Sequence, residues 1–261
     1  MAAAAGTLSG AAAATLPRGA DRALRWGAVA MAAGVIAEHA ATAVGAASLH
    51  QDGGARSAEL VVLVGLGISA LLAVTRWARV GMLGVFLTAL AVDLAATWTA
   101  TQGALLVLPC HAARWLGPLA FVVAARGRPG GTEPARLLLA LAAAATFAGH
   151  GIKAFQAPPN FVAYLDCVCG LAMGDGCPDR LRAATLIAIG VADIAVAALV
   201  LRNRRGAAPA LAWMVVWGGA TAVVRCVHGG LEAWPLTAER VPNALVPLAA
   251  LLLHRAATPA R

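Results

Sequence analysis

The chain has 261 residues, of which 61% are hydrophobic and 12% charged. Soluble domains run about 25% charged and about 45–50% apolar, so the balance excludes a disordered chain, a disulfide-dense secreted domain and an ordinary soluble enzyme. With 20 Lys+Arg against 12 Asp+Glu the net charge is +8, but the arginines cluster briefly between apolar spans. That is how topology signals are written, not a nucleic-acid surface, and a polytopic membrane protein is expected.

Residues 1–25 read as a cytoplasmic disordered tail, Ala-rich and without charge before Arg18. A secretory leader would need a basic region ahead of its apolar stretch. Eight spans follow, at roughly 26–48, 59–75, 80–101, 107–125, 136–155, 183–201, 208–229 and 241–254. The runs are long and do not alternate, so helices are expected and strands are not. Segment 160–174 is apolar but short and carries Asp166. It reads as a re-entrant or interfacial helix, because a further span would turn Arg202, Arg204 and Arg205 outward.

With the N-terminus in the cytoplasm, 13 of the 20 basic residues face inward, among them Arg76, Arg79, Arg126, Arg128 and Arg136. The seven outer ones are Arg56, Arg114, Lys153, Arg180, Arg182, Arg225 and Arg240. This satisfies the positive-inside rule and places both termini in the cytoplasm. Trp26 and Trp77 then fall at the inner boundary, and Trp98, Trp115 and Trp234 at the outer one.

The two halves repeat one another. FAGHGIKAF at 147–155 aligns with IAEHAATAV at 36–44, setting His150 on His39. Gly190 falls on Gly65, His228 on Gln102, and PLAALLLHR at 247–255 on PLAFVVAAR at 118–126. The offsets are 111, 125, 126 and 129, so the second copy carries an insertion, the outer segment 156–182. The expected fold is all-α: eight transmembrane helices in two parallel four-helix repeats, 26–128 and 135–255, with a tail at 256–261. An even number of spans per copy gives a pseudo-two-fold along the membrane normal.

Polar side chains gather at the outer ends of the odd spans. They are His39; His150 and Lys153; and Arg225, His228 and Glu232, at i, i+3 and i+7. Residues three and four apart share a helical face. With Arg240 these residues form an expected outer pocket, since ionisable groups in a bilayer face a bundle interior or cavity. Such a pocket suits a quinone headgroup, with imidazole on an oxygen and Arg225 or Lys153 against developing charge. Haem ligation by His is a weaker reading. The plain alternative is an interfacial network holding the two copies together. Asp93 and Asp193 lie deeper, where a carboxylate serves proton or cation transport or hydrogen-bonds a neighbouring helix. No His spacing demands a metal, and no P-loop, GxGxxG or GxSxG motif occurs.

Five cysteines, Cys110, Cys167, Cys169, Cys177 and Cys226, all fall toward the outer face. Cys177 sits in a Gly-Cys-Pro turn, so a disulfide to Cys167 or Cys169 is expected to pin the insertion. A thiol relay to a quinone is the sharper alternative.

The wording of the second half resembles a known group. FAGHGIKAF, IGVADIAVAALVL at 189–201, Trp217 with Arg225, and ERVPN at 239–243 resemble the DoxX-like small bacterial four-helix membrane proteins. His150, Gly151 and Lys153 stand where that group often carries its first-helix signature. The first half departs from it, with Ala40 for Gly151, Gln102 for His228 and no counterpart to Asp193. The resemblance implies a bacterial plasma-membrane subunit of a redox or stress-related system, with a membrane or periplasmic partner. Catalysis stays open. A small-solute or proton-coupled transporter, and a non-catalytic assembly factor docking through 156–182, are the other expectations.

Overall fold

The structure is a computed structural model that describes residues 16–46, 53–99, 104–126, 132–174, 176–202 and 204–257. The tail over 1–15, Arg128, Asp175, residues 258–261 and Gln102, the counterpart of His228, lie outside the described residues. The described residues form eleven α-helices and one 3-10 turn, with no strand. In order they are α1 (Arg18–Ala46), α2 (Gly53–Ala73), α3 (Ala78–Thr99), α4 (Ala104–Cys110), α5 (Ala112–Ala124), α6 (Thr132–Phe155), α7 (Pro159–Met173), α8 (Asp179–Arg202), α9 (Arg204–Gly229), the turn Leu231–Ala233, α10 (Trp234–Arg240) and α11 (Pro242–Ala257).

Helix α1 begins eight residues earlier than the span expected from Trp26 onward, so residues 18–25 are helix and not tail. Packing and a local ion pair explain the difference. Ala20, Ala23 and Leu24 are buried, and Arg25 Nε meets the Asp21 carboxylate one turn back at 3.0 Å. The Arg25 guanidinium also donates to Ala73 O at 3.4 Å, where α2 leaves carbonyls without helical partners. It lies 5.1 Å from the centroid of the Phe121 ring. One side chain thereby ties α1, the end of α2 and α5 together.

The expected fourth span is two helices. Pro109 lies in the last turn of α4, and His111 takes φ −107° and ψ 8°, outside helical geometry, before α5 resumes. Thr146 of α6 caps the restart by accepting the Ala113 N–H at 2.9 Å. The expected eighth span, 241–254, is the single helix α11, but a further short helix, α10, precedes it across a break at Val241, because Pro242 has no N–H to bond the preceding turn.

Helices α1, α5, α6 and α11 form the centre of the bundle. α1 packs on α10, α11 and α2, and α6 packs on α4, α5 and α8. α3 packs on α2, α4 and α5, and α9 packs on α8, α10 and α11. Exchanging α1 with α6, α2 with α8, α3 with α9, α4 with α10 and α5 with α11 carries each of these packings onto another. α7 has no counterpart.

Small residues fill the centre: Ala120, Ala124, Ala142, Ala143, Ala249 and Ala250 are all buried. Large ones point outward from the peripheral helices. Leu60, Val64, Ile68 and Leu71 on α2, Val80 and Leu87 on α3, Ile187 and Val191 on α8, and Trp213 and Val216 on α9 are exposed. A soluble monomer does not present an apolar surface of that extent. Five described stretches are long and apolar enough to cross a bilayer: 78–98, 132–155, 179–202, 206–229 and 231–257. The expectation of an all-helical membrane protein agrees with this. Half of the 132–155 span is buried, against 28% for 78–98 and 179–202, as a central helix between peripheral ones requires.

Candidate functional site

Two polar regions lie at the same end of the bundle, where α4 gives way to α5 and α10 to α11. The first is a network between the halves. His111 Nδ1 and Asp93 Oδ1 share a hydrogen bond at 2.7 Å, joining the break to α3. Arg114 Nη1 of α5 meets Glu239 Oε1 of α10 at 2.6 Å, with the guanidinium 6% exposed and the carboxylate 15%. Arg240 Nη1 faces His150 Nε2 at 3.5 Å, joining α10 to α6. Glu38 lies within electrostatic reach of Glu239, Arg114 and Arg240, and Lys153 lies within hydrogen-bonding reach of the Cys110 thiol. Charge-assisted contacts of this kind are the strong ones in a low-dielectric interior. Arg114 with Glu239, and Cys110 with Lys153, join one half of the chain to the other, and His111–Asp93 and Arg240–His150 extend the network within each half.

The second region is a cavity of about 440 Å³ inside the later half. α6 contributes Phe147 and His150, and α7 contributes Phe161, Tyr164, Leu165 and Val168. α8 gives Thr185, Leu186, Ile189 and Asp193; α9 gives Trp217, Thr221, Val224 and Arg225; α11 gives Asn243. The walls are chiefly aliphatic and aromatic, with few polar groups, the usual make-up of a small-molecule site.

Helix α7 starts at a Pro158-Pro159 pair, with Pro159 in the first turn, where a missing N–H costs nothing. Its residues 161, 164, 165 and 168 recur at helical spacing and form the cavity face. Tyr164 receives the Arg225 guanidinium 5.3 Å from its ring centroid and meets the His228 ring edge-on at 5.4 Å. Phe161 lies 6.2 Å from the His150 ring. On its other side, Asp166 accepts from Arg182 Nε at 3.0 Å. Arg225 also donates to Thr221 O one turn back on α9.

Two buried acceptors of the cavity have no donor: Asp193 Oδ1 and Asn243 Oδ1. Asp193 is 3% exposed and Asn243 5%. An unsatisfied buried acceptor costs about 1–3 kcal/mol, so it is kept where a guest with N–H or O–H groups can meet it. The arrangement presents donors (Arg225 and His150) and acceptors (Asp193 and Asn243) on aromatic and aliphatic walls, the Thr221 hydroxyl donating to Gly218 O.

The sequence-derived pocket is thus divided by the structure. His150 and Arg225 line the cavity. Arg240 and Lys153 belong to the network beside it. His39 is half-buried on α1, in the other half of the chain. His228 and Glu232 are exposed, His228 behind Tyr164 and Glu232 on the 3-10 turn. Asp193 joins the cavity, whereas Asp93 pairs with His111. Sequence reading missed His111, Arg114, Glu239, Tyr164 and Asn243. The ERVPN wording held Glu239 and Asn243 in plain view, but nothing in it says that a helix breaks there. Among the described residues no group of three His, Cys, Asp or Glu side chains could hold a metal ion. No family model matches the chain, and neither a curated protein nor a solved structure does.

Proposed function

We propose that this protein is a duplicated four-helix membrane unit, crossing the bilayer eight times, that binds a quinone or quinol in the α7-covered cavity. The observation that carries the reading is the cavity's polar set on apolar walls. A quinone carbonyl takes the Arg225 or His150 donor, and a quinol hydroxyl donates a hydrogen bond to Asp193 or Asn243. The ring lies against Trp217 and Phe147. Supporting the duplication is the exchange of packings described above, together with a proline-marked break in both fourth helices. The cytoplasmic termini rest on the basic-residue count, and the place in a redox or stress-related system, with a membrane or periplasmic partner, rests on the DoxX-like wording of residues 147–253.

Trp217 supplies its own readout. It lies in the cavity wall, 6.0 Å from the Trp213 ring at an interplanar angle of 16°, so a bound quinone quenches it. In lipid nanodiscs a short-chain ubiquinone analogue should quench tryptophan emission saturably, and Trp217→Phe should remove that component. Arg225→Ala should weaken binding about tenfold or more, since a hydrogen bond to a charged group is worth roughly 1.5–3 kcal/mol, and His150→Ala should weaken it several-fold, since a neutral one is worth about 0.5–1.5 kcal/mol. His228→Ala should bind nearly as the parent does. Equal affinity in the parent and both cavity variants overturns the reading.

A second reading, a small-solute or proton-coupled transporter, is favoured by Asp193 in the cavity wall. Under it, Asp193→Asn should abolish proteoliposome uptake, while quinone quenching should not depend on Arg225.

A further inference from the structure

The cavity's cover is anchored at a cysteine pair. Cys169 lies on α7 and Cys177 in the turn before α8, and both are buried, 8% and 3% exposed. Their thiols are within hydrogen-bonding reach of each other. The other three are elsewhere: Cys110 packs against Gly149 of α6, Cys226 Sγ lies 3.1 Å from Thr237 Oγ1, and Cys167 is half-buried on a different face of α7. All five are free thiols in the structure.

The turn that carries Cys177 is itself held. α7 ends at Gly174, whose φ of 87° suits glycine and turns the chain back. Arg182 then donates through Nη2 to Cys177 O at 2.9 Å and through Nε to Asp166 Oδ1 at 3.0 Å. One guanidinium therefore fixes Cys177 against the helix that carries Cys169. α7 has few other fastenings. Its packing on α8 and α9 is slight beside that of the central helices, and Phe161, Tyr164, Leu165 and Val168 face the cavity.

We infer that Cys169 and Cys177 are a disulfide-forming pair, and that the bridge is a covalent latch holding α7 over the cavity. Cys167 is not part of it. The pairing is independent of which ligand the cavity takes. The bridge forms by exchange with a small disulfide. One cysteine sulfur attacks it, making a mixed disulfide and releasing one thiol. The second cysteine sulfur displaces the other half. One disulfide is made and one consumed, and the two cysteine protons leave on the two released thiols. The hydrogen bond with Cys169, with burial second, pushes the Cys177 thiol up to about 11. A rise in pH therefore speeds the step in which Cys177 takes part.

The test uses the full chain in nanodiscs, equilibrated with oxidised glutathione or with a reductant, then alkylated, digested and weighed. In the oxidised sample the peptide spanning both cysteines should lack two hydrogens and carry alkylation at Cys167 alone. Cys167→Ser should keep the bridge, and Cys169→Ser and Cys177→Ser should lose it. Amide exchange over 159–173 should be several-fold slower in the oxidised parent than in the reduced parent. A bridge through Cys167, or no bridge, overturns the pairing. A Cys169–Cys177 bridge with unchanged exchange over α7 overturns the latch.

Discussion

Glu239→Ala should be the most damaging single change in the protein, costing about 3–5 kcal/mol of stability, the usual loss when one partner of a buried ion pair is removed. Glu239 meets Arg114 at 2.6 Å across the contact between the two halves. Two more Arg114 nitrogens, Nε and Nη2, already lack acceptors. The truncation leaves a buried guanidinium with its main acceptor gone, in a place water does not reach. Unfolding in mixed micelles, followed by circular dichroism against detergent titration, measures the loss. Arg114→Met combined with Glu239→Leu should recover much of it, because two apolar side chains of similar volume leave no charge uncompensated. A double variant as unstable as Glu239→Ala would mean that the shape of the site, not its charge, carries the contact.

The second large effect comes from a pair of adjacent glycines with opposite surroundings. A Cβ on Gly218 would lie 2.4 Å from Asn243 O and 2.8 Å from its carbonyl carbon. These are backbone atoms of α11, which no rotamer change can move. Gly219, one residue on, would meet nothing within 4 Å. Gly218→Ala should therefore force α9 off α11, costing about 1–3 kcal/mol as overpacking does. It should also distort the cavity, since Gly218 and Asn243 both line it. Gly219→Ala should be neutral or stabilising by about 0.5–1 kcal/mol, through the lost chain entropy of glycine. The same detergent titration reads both. Equal losses would show that α9 and α11 are not in backbone contact.

The helical membrane character could be read from the chain because it depends on run length and on the scarcity of charge, both local quantities. Even the irregular segment 160–174 was legible, since α7 covers 159–173. The breaks at His111 and Val241 were not, because prolines at 109, 118, 242 and 247 are tolerated or disruptive according to what neighbouring helices offer the freed backbone groups. That in turn hid the network, whose key members sit at those breaks. Spacing along one helix put Arg225, His228 and Glu232 together. It cannot tell which part of that face meets α7 and which meets solvent, and Glu232 lies exposed on the 3-10 turn, away from the cavity. Asp93 and Asp193 looked alike in sequence. Their difference is tertiary: one has a histidine within 2.7 Å, and the other has a bare oxygen facing a cavity.

The contact between α2 and α3 bears on how many guests the proposed unit would hold. A Cβ on Gly81 would fall 2.3 Å from Ala73 N and 2.5 Å from Ser69 O, and one on Gly84 would strike the Ser69 side chain. These two helices touch backbone to backbone. α8 and α9, which hold the matching places in the exchange of packings, pack less closely and both line the cavity, with Thr185 and Ile189 from one and Trp217 and Thr221 from the other. Under the proposed reading, the duplicated unit is therefore not a duplicated receptor. Saturation should come at one ligand per chain, with the closely packed α2 and α3 backing the cavity-bearing part rather than holding a guest of their own.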